Sequence, residues 1–183
     1  MVTVFLAEGF EEIEAITPID VLRRGGVEVR LCSITDSLTV CGAHGIPILC
    51  DTTISELEGT EEVMLLPGGM PGTLHLKQCS RLRFRLLEHA KQGGYLAAIC
   101  AAPTVLGELG LLKGRRATCY PGMESGLMAG ECSEENVVID GKIVTSRGAG
   151  TAFDFSLALL TLLKGKEAAD SLARGMCYRG EEK

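Results

Sequence analysis

The chain has 183 residues, 46% hydrophobic and 23% charged, a balance that favours one folded domain over residues 1–183 rather than a disordered chain. Its net charge of −6 argues against nucleic-acid binding, which needs a basic surface. No apolar stretch reaches the roughly 20 residues of a membrane helix, and the start turns acidic too early for a secretory signal. We therefore expect neither membrane association nor secretion.

Eight cysteines are scattered along the chain without a C-x-x-C pair. The three histidines, His44, His75 and His89, make no H-x-x-x-H spacing and stand beside no cysteine pair. These patterns predict no metal site and no disulfide framework. They favour the reducing cytoplasm, with most of the thiols acting as small buried hydrophobic groups.

Short apolar strands alternate with helices in the first half of the chain. VTVFLA predicts a buried strand, and VEVRLCSI alternates like a second strand. Between them EEIEAITPIDVLRR predicts an acidic helix, either kinked at Pro18 or restarted there with Thr17 as its N-cap. LTVCGAHGIPILC predicts two short strands around a glycine-containing turn.

The same alternation continues in the second half. EEVMLLPGG predicts a strand that enters a glycine-rich turn, and SRLRFRLLEHAKQGG predicts a helix. NVVIDGKIVTS predicts a hairpin about Asp140 and Gly141, and TAFDFSLALLTLLKG predicts an apolar helix with Thr151 as its N-cap. We expect the final GEEK to be disordered.

This order of elements predicts an α/β fold with a mainly parallel, doubly wound sheet. In such folds ligands bind beyond the carboxyl ends of the strands. Three loops should therefore meet at that edge, namely residues 8–14, 67–72 and 99–103.

Cys100 lies where the apolar strand LAAI gives way to a helix that starts near Pro103. A helix N-terminus stabilises a thiolate, and the small alanines on both sides permit a tight, strained turn. These features favour a nucleophile. A buried cysteine at a crowded crossing fits the same residues, and spacing alone does not decide between the two.

The glycine-rich turn LPGGMPG is the second candidate element. Gly68 and Gly69 can turn their N–H groups toward a ligand, as an oxyanion site requires, although a plain strand-to-helix connection has the same composition. The turn has neither the G-x-G-x-x-G spacing nor the P-loop lysine, so it predicts no nucleotide cofactor.

The third element is the acidic segment EGFEEIE. A helix that starts near Glu11 would place Glu11 and Glu14 at neighbouring positions, with Glu12 pointing elsewhere. A carboxyl held beside Cys100 would donate or move a proton. Acids are also common in the first turn of any helix, so this segment alone is not specific.

Four segments in order resemble the ThiJ/PfpI superfamily: EGFEEIEAITPIDVLRRGGVEV, LLPGGMPG, AAICAAPTVLGELGLLKG and IVTSRGAGTAFDF. More narrowly, they are similar to the branch that contains the parkinsonism-associated protein deglycase and its bacterial relatives. The resemblance covers nearly the whole chain. It implies a flavodoxin-like, three-layer α/β sandwich, usually a homodimer, with a nucleophilic cysteine on a strained elbow.

The resemblance also implies roles for particular residues. Cys100 would be the nucleophile, and Glu14 the acid that hydrogen-bonds its sulfur and the oxidised forms of that sulfur. Gly69 and Ala101 would supply the oxyanion-binding N–H groups. Arg147, in TSRGAG, stands where family members have an arginine.

Two positions depart from the relatives. Protease-like members have a histidine directly after the cysteine, where this chain has Ala101, so we do not expect a protease. Relatives with glyoxalase activity often have a histidine in the stretch that reads ATCYP here, and Tyr120 takes its place as a candidate hydrogen-bond donor. His44 does not fill this gap by motif, but its loop is a candidate neighbour of the site or of a dimer partner.

The residues and the resemblance together predict a cysteine-dependent enzyme that needs no cofactor or metal. Its partners would be small reactive carbonyls or glycated groups, converted as by a glyoxalase (methylglyoxal to lactate) or a deglycase. The alternative is a redox sensor or redox-regulated chaperone that uses oxidation of the same cysteine.

Overall fold

The computed structural model describes residues 1–178, so the GEEK tail lies outside the described residues. The strands are β1 (Val2–Leu6), β2 (Val29–Ser33), β3 (Thr39–Cys41), β4 (Pro47–Leu49), β5 (Thr52–Thr53), β6 (Val63–Leu66), β7 (Tyr95–Ile99), β8 (Arg116–Ala117), β9 (Glu131–Cys132), β10 (Val137–Asp140) and β11 (Ile143–Ser146). The helices are α1 (Glu12–Arg24), α2 (Gly72–Gln78), α3 (Ser80–Lys91), α4 (Pro103–Glu108), α5 (Ala152–Lys164) and α6 (Lys166–Gly175).

Seven strands form the central sheet, in the order β10-β11-β7-β6-β1-β2-β5. Every neighbouring pair is parallel except β10 and β11, which form an antiparallel hairpin. The five strands from β2 to β11 have the 2-1-3-4-5 order of flavodoxin-like folds. This confirms the predicted α/β class with a mainly parallel, doubly wound sheet.

The sheet has a hydrophobic core on each face because successive side chains of its strands point to opposite sides. On one face Val4 of β1 belongs to a core that includes Leu22 of α1 and Phe155 of α5. On the other face Phe5 belongs to a core that includes Leu86 of α3. Helices thus cover both faces, which gives three layers.

The structure tests several local predictions. The helix α1 runs through Pro18 without a restart at Thr17, and the predicted β3–β4 and β10–β11 hairpins are present. Thr151 is the N-cap residue of α5 but makes no side-chain cap, because its hydroxyl bonds Gly148 and Ser146 instead. The helices α2 and α6 were not predicted as separate elements.

Across residues 1–178 the structure contains no helix with the length and apolarity needed to cross a membrane.

Candidate active site

Cys100 occupies a sharp turn at the carboxyl end of β7. Its φ angle is 64°, in the left-handed region that side chains other than glycine rarely adopt, and such a residue costs about 1–3 kcal/mol. The turn is held at both sides, because the Cys100 N–H donates to the Ser146 carbonyl (2.9 Å) and its own carbonyl accepts from Tyr120 N–H (2.8 Å). The thiol side chain is only partly buried.

Glu14 lies in the first turn of α1 with only 1% of its surface exposed. Its carboxyl forms a hydrogen bond with the Cys100 thiol. Its Oε2 accepts the Gly68 N–H (3.0 Å), and it also receives the Ala149 N–H. Segments that follow β1, β6, β7 and β11 therefore meet at one carboxyl group, at the edge of the sheet where ligands of this fold bind.

Gly68 leaves room for this contact. A methyl group built on Gly68 would lie 2.7 Å from the Cβ of Cys100 and 2.7 Å from Oε2 of Glu14. Both distances are shorter than van der Waals contact permits. The absence of a side chain at position 68 is thus a requirement of the Cys100–Glu14 pair.

Burial raises the pKa of Glu14 from 4.5 to about 7. Removal of the carboxyl from water is the largest cause, and the hydrogen bonds from Cys100, Gly68 and Ala149 act in the opposite direction. The charge of Glu11 adds a smaller upward shift. Glu14 therefore keeps its proton until near neutral pH.

The pKa of the Cys100 thiol is also raised, to about 12, first by burial and then by the charge and hydrogen bond of Glu14. The sequence led us to expect a thiolate stabilised by a helix N-terminus, which is the opposite direction. The helix that follows, α4, has only six residues, and burial beside a carboxylate outweighs its effect. Because the two groups share a hydrogen bond, they titrate as a pair.

Two backbone N–H groups face the sulfur. The N–H groups of Gly69 and Ala101 form hydrogen bonds to Cys100. These bonds lower the pKa of its thiol and so offset a part of the rise caused by burial and Glu14. Gly69 has a φ angle of 91°, which glycine adopts without strain. The structure therefore brings together Cys100, Glu14, Gly69 and Ala101, the four residues whose roles the resemblance implies.

Tyr120 and Arg147 differ in their relation to this pair. A methyl group built on Gly148 would lie 3.4 Å from the Tyr120 ring and 3.9 Å from Oε1 of Glu14, so the half-exposed ring borders the site. Arg147 instead donates from Nη1 to the Glu134 carbonyl (2.9 Å). Within residues 1–178, no hydrogen bond or ion pair joins Arg147 to Cys100 or Glu14.

His44 contacts the acidic segment rather than the thiol. Its Nδ1 lies 2.8 Å from Oε2 of Glu12 and 3.6 Å from Oε2 of Glu11. Burial alone would raise the pKa of Glu12, but hydrogen bonds led by that from His44 lower it overall, and the same bond raises the pKa of His44. Glu11 acts electrostatically on Glu14 while Glu12 points to His44, as the helical spacing predicted.

The sheet is flavodoxin-like, and its strained turn carries a cysteine that is hydrogen-bonded to a buried carboxyl. These features define a class of cysteine-centred α/β proteins. The chain belongs to the DJ-1/PfpI family, whose model matches residues 1–162.

Comparison with known proteins supports this membership. DJ-1 homolog B of Arabidopsis thaliana is 43% identical over 95% of this chain, which spans only 40% of that relative's length. A protein named glutathione-independent glyoxalase DJR-1.2, from Caenorhabditis elegans, is 36% identical over 93% of this chain and 91% of its own. The solved structure of oxidized Toxoplasma gondii DJ-1 has a TM-score of 0.94 and 39% identity, covering 98% of each chain.

Proposed function

We propose that this chain is a cysteine-dependent enzyme that acts on small reactive carbonyls without a cofactor. The observation that carries the proposal is the hydrogen bond between the Cys100 thiol, on its strained turn, and the buried Glu14 carboxyl. A nucleophile and a proton acceptor in hydrogen-bond contact are the two groups that carbonyl addition needs.

In the first step the Cys100 sulfur attacks the aldehyde carbon of a ketoaldehyde such as methylglyoxal. The carboxylate of Glu14 takes the thiol proton as the carbon–sulfur bond forms, and the aldehyde oxygen takes up the electron pair of its double bond. The N–H groups of Gly69 and Ala101, which already face the sulfur, hold this oxygen as its charge develops. Proton return from Glu14 completes a hemithioacetal.

In the second step Glu14 moves a proton between the two substrate carbons. Its carboxylate removes the hydrogen of the former aldehyde carbon as a proton and returns it to the neighbouring ketone carbon, while the proton of the hemithioacetal hydroxyl passes to the ketone oxygen. The product is a lactoyl thioester on Cys100, and no external oxidant or reductant is consumed. Water hydrolyses the thioester to lactate and restores the thiol. A pKa of about 7 suits a group that must both accept and return protons near neutral pH.

Two further observations support this substrate class. The Caenorhabditis elegans relative is named a glutathione-independent glyoxalase. The half-exposed Tyr120 ring borders the site and could contact a small substrate there. A deglycase would use Cys100 to displace the thiol or amine from the hemithioacetal or aminocarbinol carbon of a glycated group: the new carbon–sulfur bond forms as the bond to that thiol or amine breaks, and the proton of Cys100 passes through Glu14 to the leaving group. Tyr120 would act as a hydrogen-bond donor to the substrate oxygen.

The direct test is lactate formation from methylglyoxal by the wild type, Cys100→Ala and Cys132→Ala. Cys132 is an exposed thiol far along the chain and serves as the matched control. We expect activity in the wild type and the control and none in Cys100→Ala. Equal rates in all three proteins would overturn the proposal.

A second candidate function, redox sensing or redox-regulated chaperoning, is favoured by the same hydrogen bonds. Protonated Glu14 and the N–H groups of Gly69 and Ala101 are donors that would stabilise a sulfinate on Cys100. Mild peroxide should then add two oxygens to Cys100 before the other seven cysteines, as read by peptide mass spectrometry. Uniform oxidation of the thiols would count against this function.

The homodimer implied by the family resemblance is also proposed for this chain. Apolar side chains stand exposed on α1 and on the adjacent β3–β4 hairpin, with Ile13 53%, Ile16 38%, Ile46 52% and Leu49 73% exposed. The bonds of Glu12 to the hairpin backbone join the two elements, and we propose that these side chains lie on one surface. Contiguous apolar surfaces of this kind mark interaction sites, and a second copy of the chain is the occupant we propose.

A further inference from the structure

Three potential metal ligands converge beside the candidate active site without belonging to its chemistry. One ligand atom from each of Glu11, Glu12 and His44 lies within 4.8 Å of the other two. Glu11 and Glu12 come from the start of α1, whereas His44 comes from the β3–β4 turn, 32 residues further along the chain from Glu12. No motif in the sequence links these positions.

The arrangement around Glu12 fixes one carboxylate oxygen and leaves the other facing the cluster. Its Oε1 accepts the N–H groups of His44 (2.7 Å) and Ile46 (3.5 Å). A methyl group at Gly42 would overlap this carboxylate, so the turn leaves space for it. The second oxygen, Oε2, points to the His44 ring. Hydrogen bonds to the spare oxygen of a carboxylate are the usual means of orienting a metal ligand.

The distances fit a tetrahedral cation. Metal–ligand bonds of 2.0–2.2 Å place neighbouring ligand atoms about 3.4 Å apart. The His44 Nδ1 lies 3.6 Å from the Glu11 oxygen, close to that separation, and 2.8 Å from the Glu12 oxygen, where a hydrogen bond now stands that a bound cation would replace with a wider spacing. Two carboxylates beside one imidazole also leave the cluster negative when the imidazole is neutral.

We propose that Glu11, Glu12 and His44 bind one divalent transition-metal cation of the Zn²⁺ or Co²⁺ type, with solvent as the remaining ligand. In the single chain the His44 side chain is 68% exposed, which leaves an open coordination position, and its turn borders the dimer surface proposed above. Mixed carboxylate and imidazole ligands suit these borderline cations. Neither this inference nor the proposed carbonyl chemistry requires the other.

The experiment is a titration of the reduced full-length chain with Co²⁺ at pH 8, followed by visible absorption. Cobalt on oxygen and nitrogen ligands shows d–d bands without thiolate-to-metal charge-transfer bands, so the spectrum separates this site from the cysteines. We expect saturation at one Co²⁺ per chain. His44→Ala and Glu11→Gln should each lower the affinity at least about 10-fold, since even second-shell changes cost that much.

His75→Ala is the matched control, because His75 is bonded to the Glu8 carbonyl outside the cluster, and it should leave the affinity unchanged. The substitutions at His44 and Glu11 alter exposed or partly exposed side chains, and circular dichroism verifies that they fold. Three results would overturn the proposal: no binding at millimolar Co²⁺, charge-transfer bands from thiolate ligands, or unchanged affinity in His44→Ala.

Discussion

At the scale of single residues, Glu14 governs the charge on Cys100. The pair has one pKa of about 7 and one of about 12, so near pH 8 it carries a single negative charge and a single shared proton. In the proposed mechanism the thiol gives its proton to Glu14 as it attacks. This attack does not need a thiolate of low pKa. The site therefore differs from one in which a helix N-terminus stabilises the thiolate.

The raised pKa of Glu14 makes the folded chain less stable at alkaline pH. Between about pH 4.5 and 7 the folded chain holds the proton that the unfolded chain has lost, so the free energy of unfolding falls as the pH rises through this range. The full loss, reached above pH 7, is about 3 kcal/mol for the shift from 4.5 to about 7.

Glu14→Gln, which cannot ionise, should therefore be more stable than the wild type at pH 8, by up to about 3 kcal/mol, and similar to it at pH 4.5. Urea unfolding at the two pH values measures the difference. Glu56→Gln, at an exposed glutamate, is the control and should show no such trend. A pH-independent difference between Glu14→Gln and the wild type would contradict the raised pKa.

Gly68→Ala should disrupt the Cys100–Glu14 contact directly. The added methyl would lie 2.7 Å from both the Cys100 Cβ and Glu14 Oε2, and such overpacking costs about 1–3 kcal/mol of stability. We expect a large loss of lactate formation together with lower thermal stability. Gly150→Ala is the matched control, because a methyl group there meets no atom within 4 Å. Full activity in Gly68→Ala would show that the close contact is not required.

At the scale of elements, the start of α1 fastens the β3–β4 hairpin beside the site. The Glu12 carboxylate accepts N–H groups of His44 and Ile46, and Ala43 N–H donates to the Phe10 carbonyl (2.8 Å). The same helix turn thus supplies Glu14 to the thiol and Glu12 to the hairpin. The position of one carboxyl is coupled to that of the other.

Glu12→Ala should loosen this hairpin more than it weakens the rest of the fold. It leaves the His44 and Ile46 N–H groups without their acceptor, and loss of a buried partner costs about 1–3 kcal/mol. Hydrogen exchange of these two amides should become faster on the order of 10-fold, while exchange in β1 stays near the wild-type rate. Glu58→Ala, at an exposed glutamate, should change neither rate. Unchanged exchange at His44 and Ile46 would contradict the fastening role.

The elements differ in how far the sequence could predict them. Periodicity and turn residues predicted β1, α1 and both hairpins, because these patterns are local. The helix α2 was missed, since glycine and proline in MPGTLHL mask its start. The loop of His44 was a candidate neighbour of the site, but the sequence did not predict its contact with Glu12, because that contact depends on how the β3–β4 turn packs on α1. The pKa of Cys100 was predicted in the wrong direction because burial was not visible in the sequence.

At the scale of the whole molecule, sheet topology is what assembles the site. The order of strands reverses beside β1, so the segments after β1, β6 and β7 end at one edge and bring Glu14, Gly68 and Cys100 together. The doubly wound pattern predicted this meeting from alternating strands and helices. It could not predict which acid reaches the thiol, and only the family resemblance singled out Glu14.

The dimer predicted for the whole molecule is tested by light scattering after size-exclusion chromatography. We expect the wild type at twice the chain mass of 19.4 kDa. Leu49→Glu, on the exposed face of β4, should shift the protein toward monomer. Phe84→Glu changes an equally apolar side chain, 66% exposed on α3, and should leave the dimer intact. A monomeric wild type, or a dimer unaffected by Leu49→Glu, would contradict the proposed surface.

The pH dependence of lactate formation from methylglyoxal tests the Cys100–Glu14 pair most directly. The initial rate for the wild type should rise with pH and level off above an apparent pKa near 7, as Glu14 becomes able to accept the thiol proton. Glu14→Gln should be at least about 100-fold slower and lack this rise. A Glu14→Gln variant with the rate and pH profile of the wild type would contradict the account.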